Sequence, residues 1–127
     1  MIAALSPWHE AHDRARAALT NEDRSLIAHV ALESISALSR MPEPHRVAPS
    51  VVLEALNAGF DAKWLALDPA ALRDALDGIV AAGIRGGSVY DGLIGATAAR
   101  HGARLVSADR RAAAAYDALG VDVLFVG

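Results

Sequence analysis

Residues 89–121 read VYDGLIGATAARHGARLVSADRRAAAAYDALGV, and their reading decides the fold. An apolar stretch rich in small residues, 89–101, begins after Ser88 and ends at Gly102, as a helix with a glycine stop does. Residues 104–107 form a short apolar strand, and Asp109 stands where an N-cap would open a helix over 109–119 that Gly120 stops. A last strand follows at 121–126. Helix, strand, helix and strand with short apolar strands predict a parallel sheet covered by helices.

Working toward the N-terminus, residues 84–88 read IRGGS, a glycine-rich loop. Asp68-Pro69 predicts a capped helix over 69–82 that ends at Gly83, and residues 64–67 are a second short strand. Pro49 opens a helix over 49–58, PSVVLEALNA, closed by Gly59. Residues 31–41, ALESISALSRM, are a helix ended by Pro42 and Pro44. The run LIAHV at 26–30 reads as a buried strand and Asn21-Glu22-Asp23 as a turn. Ser6-Pro7 starts a helix that reaches about residue 20.

Composition narrows the possibilities. The chain has 127 residues, long enough for one domain with a core, and 54% hydrophobic against 21% charged residues is a globular balance. No apolar run has the roughly 18 residues of a membrane helix, and no basic leader is visible, so a cytoplasmic protein is expected. The absence of cysteine excludes disulfides, a thiolate nucleophile and a cysteine-based zinc site. A net charge of -3 excludes a broad basic footprint for nucleic acid. Any action on RNA then rests on a local site, such as carboxylates that concentrate positive charge by holding a divalent ion.

Three acids occupy suitable places, because ligands of open parallel sheets bind beyond the carboxyl ends of the strands. Asp109 follows its strand and opens a helix, so it is an N-cap, a ligand, or both. Glu33 lies in the first turn of the helix after the strand at 26–30. It is either an acid favoured by the helix dipole or a functional group. Asp91 lies in the first turn of an otherwise apolar helix, facing either solvent or a polar pocket. Gly86, Gly87, Gly92 and Gly95 permit close backbone approach or serve turns and packing. Three carboxylates together would suit Mg²⁺ or Mn²⁺, which prefer oxygen ligands and activate water.

Other candidates are weaker. His9 and His12, with Glu10 and Asp13, mimic a metal pair or form an exposed helix face. His29 ends the strand at 26–30 as a core or rim histidine near Glu33. Arg85 and Arg110 suit phosphate contact or a plain surface. No P-loop, dinucleotide-binding, serine-hydrolase or zinc-protease motif is present.

Residues 89–121 resemble the C-terminal half of the PIN-domain family. Asp91 opens the apolar helix, Ala96-Thr97-Ala98 lies within it, and Gly102, Ser107, Asp109, Tyr116 and Gly120-Val121 fill the remaining places. HVALESISALSRMPEPHR at 29–46 is similar to the family's second acidic motif, with Glu33 as its glutamate. SPWHEAHDRA at 6–15 is similar to the helix after its first motif. The resemblance implies one PIN-like domain over 1–127, an α/β/α sandwich with a central parallel sheet. It further implies a VapC-type toxin, an Mg²⁺- or Mn²⁺-dependent endoribonuclease of a toxin–antitoxin system. Glu33, Asp91 and Asp109 would be catalytic metal ligands, with Ser107 supporting them by hydrogen bonding. The implied partners are an RNA substrate, a cognate antitoxin and a second copy in a homodimer, with no membrane. The apolar face of PSVVLEALNA would serve that pairing or the core.

The departure is at the front, where MIAAL matches only the end of the family's opening run. Its first strand and first aspartate are absent from residues 1–127. The alternative function is therefore a catalytically impaired remnant that binds antitoxin or dimerises. A central strand buries several apolar side chains at about 1.5–3 kcal/mol each, against a domain stability of about 5–15 kcal/mol. The chain as given is expected to melt well below a version carrying that strand, or to dimerise. Equal melting temperatures for the two would contradict this.

Overall fold

The computed structural model describes residues 1–20, 23–61 and 63–127. Of the predicted turn, Asn21 and Glu22 lie outside the described residues. The chain divides into two compact units, Met1–Trp64 and Leu65–Gly127.

The first unit is built on a pair of helices, α3 (Ala28–Ser39) and α4 (Pro49–Phe60). Ala31, Ser34 and Leu38 are buried on α3, and Val52, Leu56 and Phe60 on α4, each series at three- and four-residue steps. That spacing keeps each set on one face, and the two faces meet in a core that also includes Leu26. The buried Ser34 hydroxyl is satisfied by donating to the Val30 carbonyl at 2.7 Å. Within PSVVLEALNA, Val52 and Leu56 are core, whereas Val51 and Leu53 are exposed.

Two helix starts differ from expectation. The stretch after Ser6-Pro7 is broken into turns, flanked by α1 (Ile2–Leu5) and α2 (His12–Ala18). The strand expected over 26–30 is only β1 (Leu26–Ile27), because α3 begins at Ala28. A five-residue apolar run suits either state, and it divides: the buried Leu26 and Ile27 are strand, while the half-buried residues 28–30 open α3. Gly59 does not close α4. The helix continues through Phe60, and Asp61 supplies the left-handed cap at φ 35°. β2 (Trp64–Leu65) lies beside β1, and the Leu26 N–H donates to the Lys63 carbonyl.

The second unit follows the predicted alternation. α5 (Pro69–Ala81) starts at Asp68, whose carboxylate accepts from the Ala71 N–H at 2.8 Å. α6 (Ser88–Arg100) leads to β3 (Leu105–Ser107), a 3-10 turn over Arg110–Ala112, α7 (Ala113–Ala118) and β4 (Val123–Phe125). Gly83, Gly102 and Gly120 take positive φ just after helices, as their stop positions require. β3 and β4 pair in parallel, with Leu105 opposite Val123 and Ser107 opposite Phe125. The α/β class and the parallel pairing are those the sequence predicts. The described strands are joined as two separate two-stranded ladders.

α6 packs against both α5 and α7. Its approach is set by two glycines. A Cβ on Gly92 would lie 3.0 Å from Ile79 Cγ1. One on Gly95 would lie 2.8 Å from Val121 Cγ2 and 3.1 Å from Tyr116 Cδ1. Val121 and Tyr116 are buried and have little room to give. Gly95→Ala should therefore destabilise the protein by about 1–3 kcal/mol through overpacking. Gly78→Ala, in an exposed helical position with open space around it, should stabilise by about 0.5–1 kcal/mol. Urea unfolding of both variants checks this contrast, and equal effects would contradict it.

Candidate active site

Asp109 lies two residues beyond the carboxyl end of β3. Its backbone is extended, at φ -96° and ψ 98°, and it caps the 3-10 turn. Oδ1 accepts from the Arg111 N–H at 3.0 Å. Ser107 fixes the same turn from below, because its Oγ accepts the Asp109 N–H at 3.1 Å. Ser107 thus holds the backbone that carries the carboxylate.

The carboxylate of Asp109 is also gripped from outside. Arg111 Nε donates to Oδ1 and Nη2 to Oδ2, each at 2.9 Å. This two-bond fork is the strongest geometry for an arginine–carboxylate pair. The Arg111 hydrogen bond holds the Asp109 carboxyl below the usual carboxylate range, against a smaller opposing effect of burial. In turn, hydrogen bonding and charge from Asp109 hold the guanidinium more firmly protonated, and the charge of Asp91 adds to that. Sequence reading singled out Arg110 and passed over Arg111. The only signal for Arg111 was its place two residues after an N-cap aspartate.

Asp91 is in the first turn of α6, as predicted, and half-buried. Glu33 is not in a first turn. Because α3 begins at Ala28, Glu33 is its sixth residue, and the helix-dipole reading loses its basis. Glu33 Oε1 lies 3.3 Å from Nε2 of His29, one turn earlier on α3. His29 is thus a helix residue, not the end of a strand. Glu33 belongs to the first unit and the other two acids to the second.

The remaining candidates have structural partners. His9 Nδ1 accepts the Ala11 N–H, and His12 Nδ1 bonds the Ala3 carbonyl at 2.8 Å. His9 stands in a turn before α2, so the two histidines do not share a helix face. Arg110 donates to the Gly127 carbonyl and lies over the Phe125 ring, 5.1 Å from its centroid. Among the described residues no three histidine, aspartate or glutamate side chains are grouped closely enough to hold a metal. Asp91 and Asp109 are both oxygen donors, the ligand type that a hard divalent ion prefers.

The chain matches the PIN domain over residues 1–118 and belongs to that family. It is 40% identical to Ribonuclease VapC40 of Mycobacterium tuberculosis over 126 residues, covering 99% of this chain and 93% of that protein. It is 33% identical to Ribonuclease VapC27 of the same organism over 124 residues, covering 97% of this chain and 89% of that protein. No solved structure matches it significantly. No helix among the described residues is long and apolar enough to cross a membrane.

The Asp109 pair generates a pH dependence. Its folded-state pKa is depressed, so its contribution to stability is full above the unfolded value and fades as pH falls through the folded one. Asp109→Asn keeps a capping oxygen but loses the charge. Its melting temperature should lie below wild type between about pH 5 and 8, and the two should converge on acidification below about pH 4. A gap that does not change with pH would show that the ion pair is not formed in solution.

Proposed function

We propose that this PIN-family chain is a metal-dependent endoribonuclease of the VapC toxin type, with Glu33, Asp91 and Asp109 as its metal ligands. The observation that carries the reading is the placement of Asp109: its carboxylate stands just beyond the carboxyl end of β3, held there by Ser107 and the 3-10 turn, where ligands of parallel sheets bind. Similarity to two proteins named as ribonucleases supports RNA as the substrate class. Mg²⁺ or Mn²⁺, when bound, supplies a water of lowered pKa and neutralises charge on the phosphate under attack.

The chain's own residues prepare this. Ser107 and the 3-10 turn fix the direction of the Asp109 carboxylate. The packed helix α6 fixes Asp91. A net charge of -3 leaves the site, not the general surface, to attract the RNA backbone. Glu33, whose Oε1 lies 3.3 Å from His29 Nε2, is the third ligand in this reading, which takes 1–127 as one domain. Exposed Leu32 on α3 and Val51 and Leu53 on α4 support an apolar surface for a cognate antitoxin or a second copy in the cytoplasm.

One observation favours a second reading, a catalytically impaired form that binds antitoxin or dimerises without cutting RNA. It is that no three acids or histidines are grouped among the described residues. Cleavage of single-stranded RNA separates the two. The enzyme reading expects Mg²⁺-dependent cleavage abolished by EDTA. Asp91→Asn and Asp109→Asn should each lower it by about 100-fold or more, since even outer partners of a metal site are worth about 10- to 100-fold. Tight antitoxin binding with no cleavage at any Mg²⁺ or Mn²⁺ concentration would overturn it.

A further inference from the structure

Arg110 stands beside Asp109, just beyond the carboxyl end of β3, and two contacts hold it there. Its Nε donates to the Gly127 carbonyl at 2.9 Å. Its guanidinium carbon lies over the Phe125 ring, 5.1 Å from the centroid, within the reach of a cation–π attraction. Both partners are themselves fixed. Phe125 pairs in register with Ser107 and has the ring of buried Tyr116 6.4 Å away. Gly127 follows Val126, whose N–H donates to the Ser107 carbonyl at 3.0 Å. A Cβ on Gly127 would collide with the Ala108 carbonyl, so the missing side chain lets the two segments lie this close.

These contacts leave most of the guanidinium open. Arg104 is paired with Asp122, and Arg111 spends Nε and Nη2 on Asp109. Arg110 is paired with no acidic side chain among the described residues, and none of them accepts from its Nη1 or Nη2. An arginine carries five N–H donors in a rigid fork that matches phosphate. An exposed arginine also loses rotamer freedom when it grips a ligand, and Gly127 and Phe125 have already taken part of that freedom from Arg110.

Resting on the reading of RNA as the substrate, we infer that Arg110 is an RNA-binding residue whose open edge takes a backbone phosphate beside Asp109. In a chain of net charge -3, attraction for phosphate comes from single fixed cations, not from a basic surface. Phosphate contacts position a strand and carry no sequence information. Arg110 therefore sets where the strand lies relative to the Asp109 carboxylate, not which sequence is chosen. The contact needs no metal.

The test is binding of a fluorescein-labelled single-stranded RNA, read by anisotropy in EDTA, where metal-dependent cleavage does not intervene. Arg110→Ala should weaken binding by about three- to ten-fold, as loss of one charged hydrogen-bonding partner at an exposed site does. It should also lower the slope of log affinity against log salt by about 0.7, the share of one single-strand phosphate. A role confined to packing on Phe125 would leave that slope unchanged. Phe125→Leu removes the ring but not the charge, and should weaken binding less, with nearly the wild-type slope. Arg110→Lys keeps the charge without the fork and should fall between wild type and Arg110→Ala. Arg104→Ala removes an equal charge at the opposite end of β3 and should weaken binding less than Arg110→Ala. If wild type binds the RNA and Arg110→Ala binds it equally well, the inference fails while the RNA reading stands. Equal weakening by Arg104→Ala reduces the effect to net charge and also overturns it. If wild type binds no RNA in EDTA, the inference fails, and Mg²⁺-dependent cleavage decides separately whether the RNA reading stands.

Discussion

The close approach at Gly95 governs where the charged groups of the second unit stand. Without a side chain there, Val121 and Tyr116 come within 2.8 and 3.1 Å of where a Cβ would be. Tyr116 lies on α7, and Val121 precedes β4, so this one gap ties α6 to the whole β3–α7–β4 crossover. Gly92 repeats the device toward Ile79 of α5. Packed interiors transmit displacement instead of absorbing it. Asp91 is adjacent to Gly92, and Arg111 immediately precedes the buried Ala112. The placement of Asp91 and of Arg111 is thus in part a packing quantity, set where two side chains are missing.

The electrostatic arrangement suits a protein of net charge -3. Such a chain repels RNA at long range and gains from drawing positive charge to a point. A guanidinium and a divalent ion do this differently. The guanidinium is weakly hydrated, planar and matched to one carboxylate edge, whereas Mg²⁺ is compact, keeps several waters and accepts ligands from several directions. Two acids on separate elements, the start of α6 and the end of β3, are a poorer match for one planar fork than for a spherical ion. In the proposed reading, the division of the acids between two elements suits an ion better than a fork.

Much of the second unit was legible because local chemistry and tertiary packing agree there. Asp68 caps α5, and Gly83, Gly102 and Gly120 take the left-handed conformations their positions demand. Asp109 is both N-cap and candidate ligand, as its place after a strand implied. In the first unit local signals were overruled. Ser6-Pro7 carries a helix-start signal, but the chain turns there. LIAHV is apolar enough for a strand, yet only its buried Leu26 and Ile27 are strand and the rest opens α3. Arg111 was invisible for a sharper reason. Residues two apart do not face each other on a helix, and the pair exists only because Asp109 is an extended N-cap before a 3-10 turn.

Glu33 marks the limit of what spacing can convey. Its motif is legible, but its position one helical turn beyond His29 follows from where α3 begins, which the sequence left ambiguous. That ambiguity bears on metal affinity. Affinity for a hard divalent ion rises with the number of carboxylates that surround it. Asp109 is one such carboxylate, already paired with the exposed guanidinium of Arg111, and Glu33 lies in the other unit.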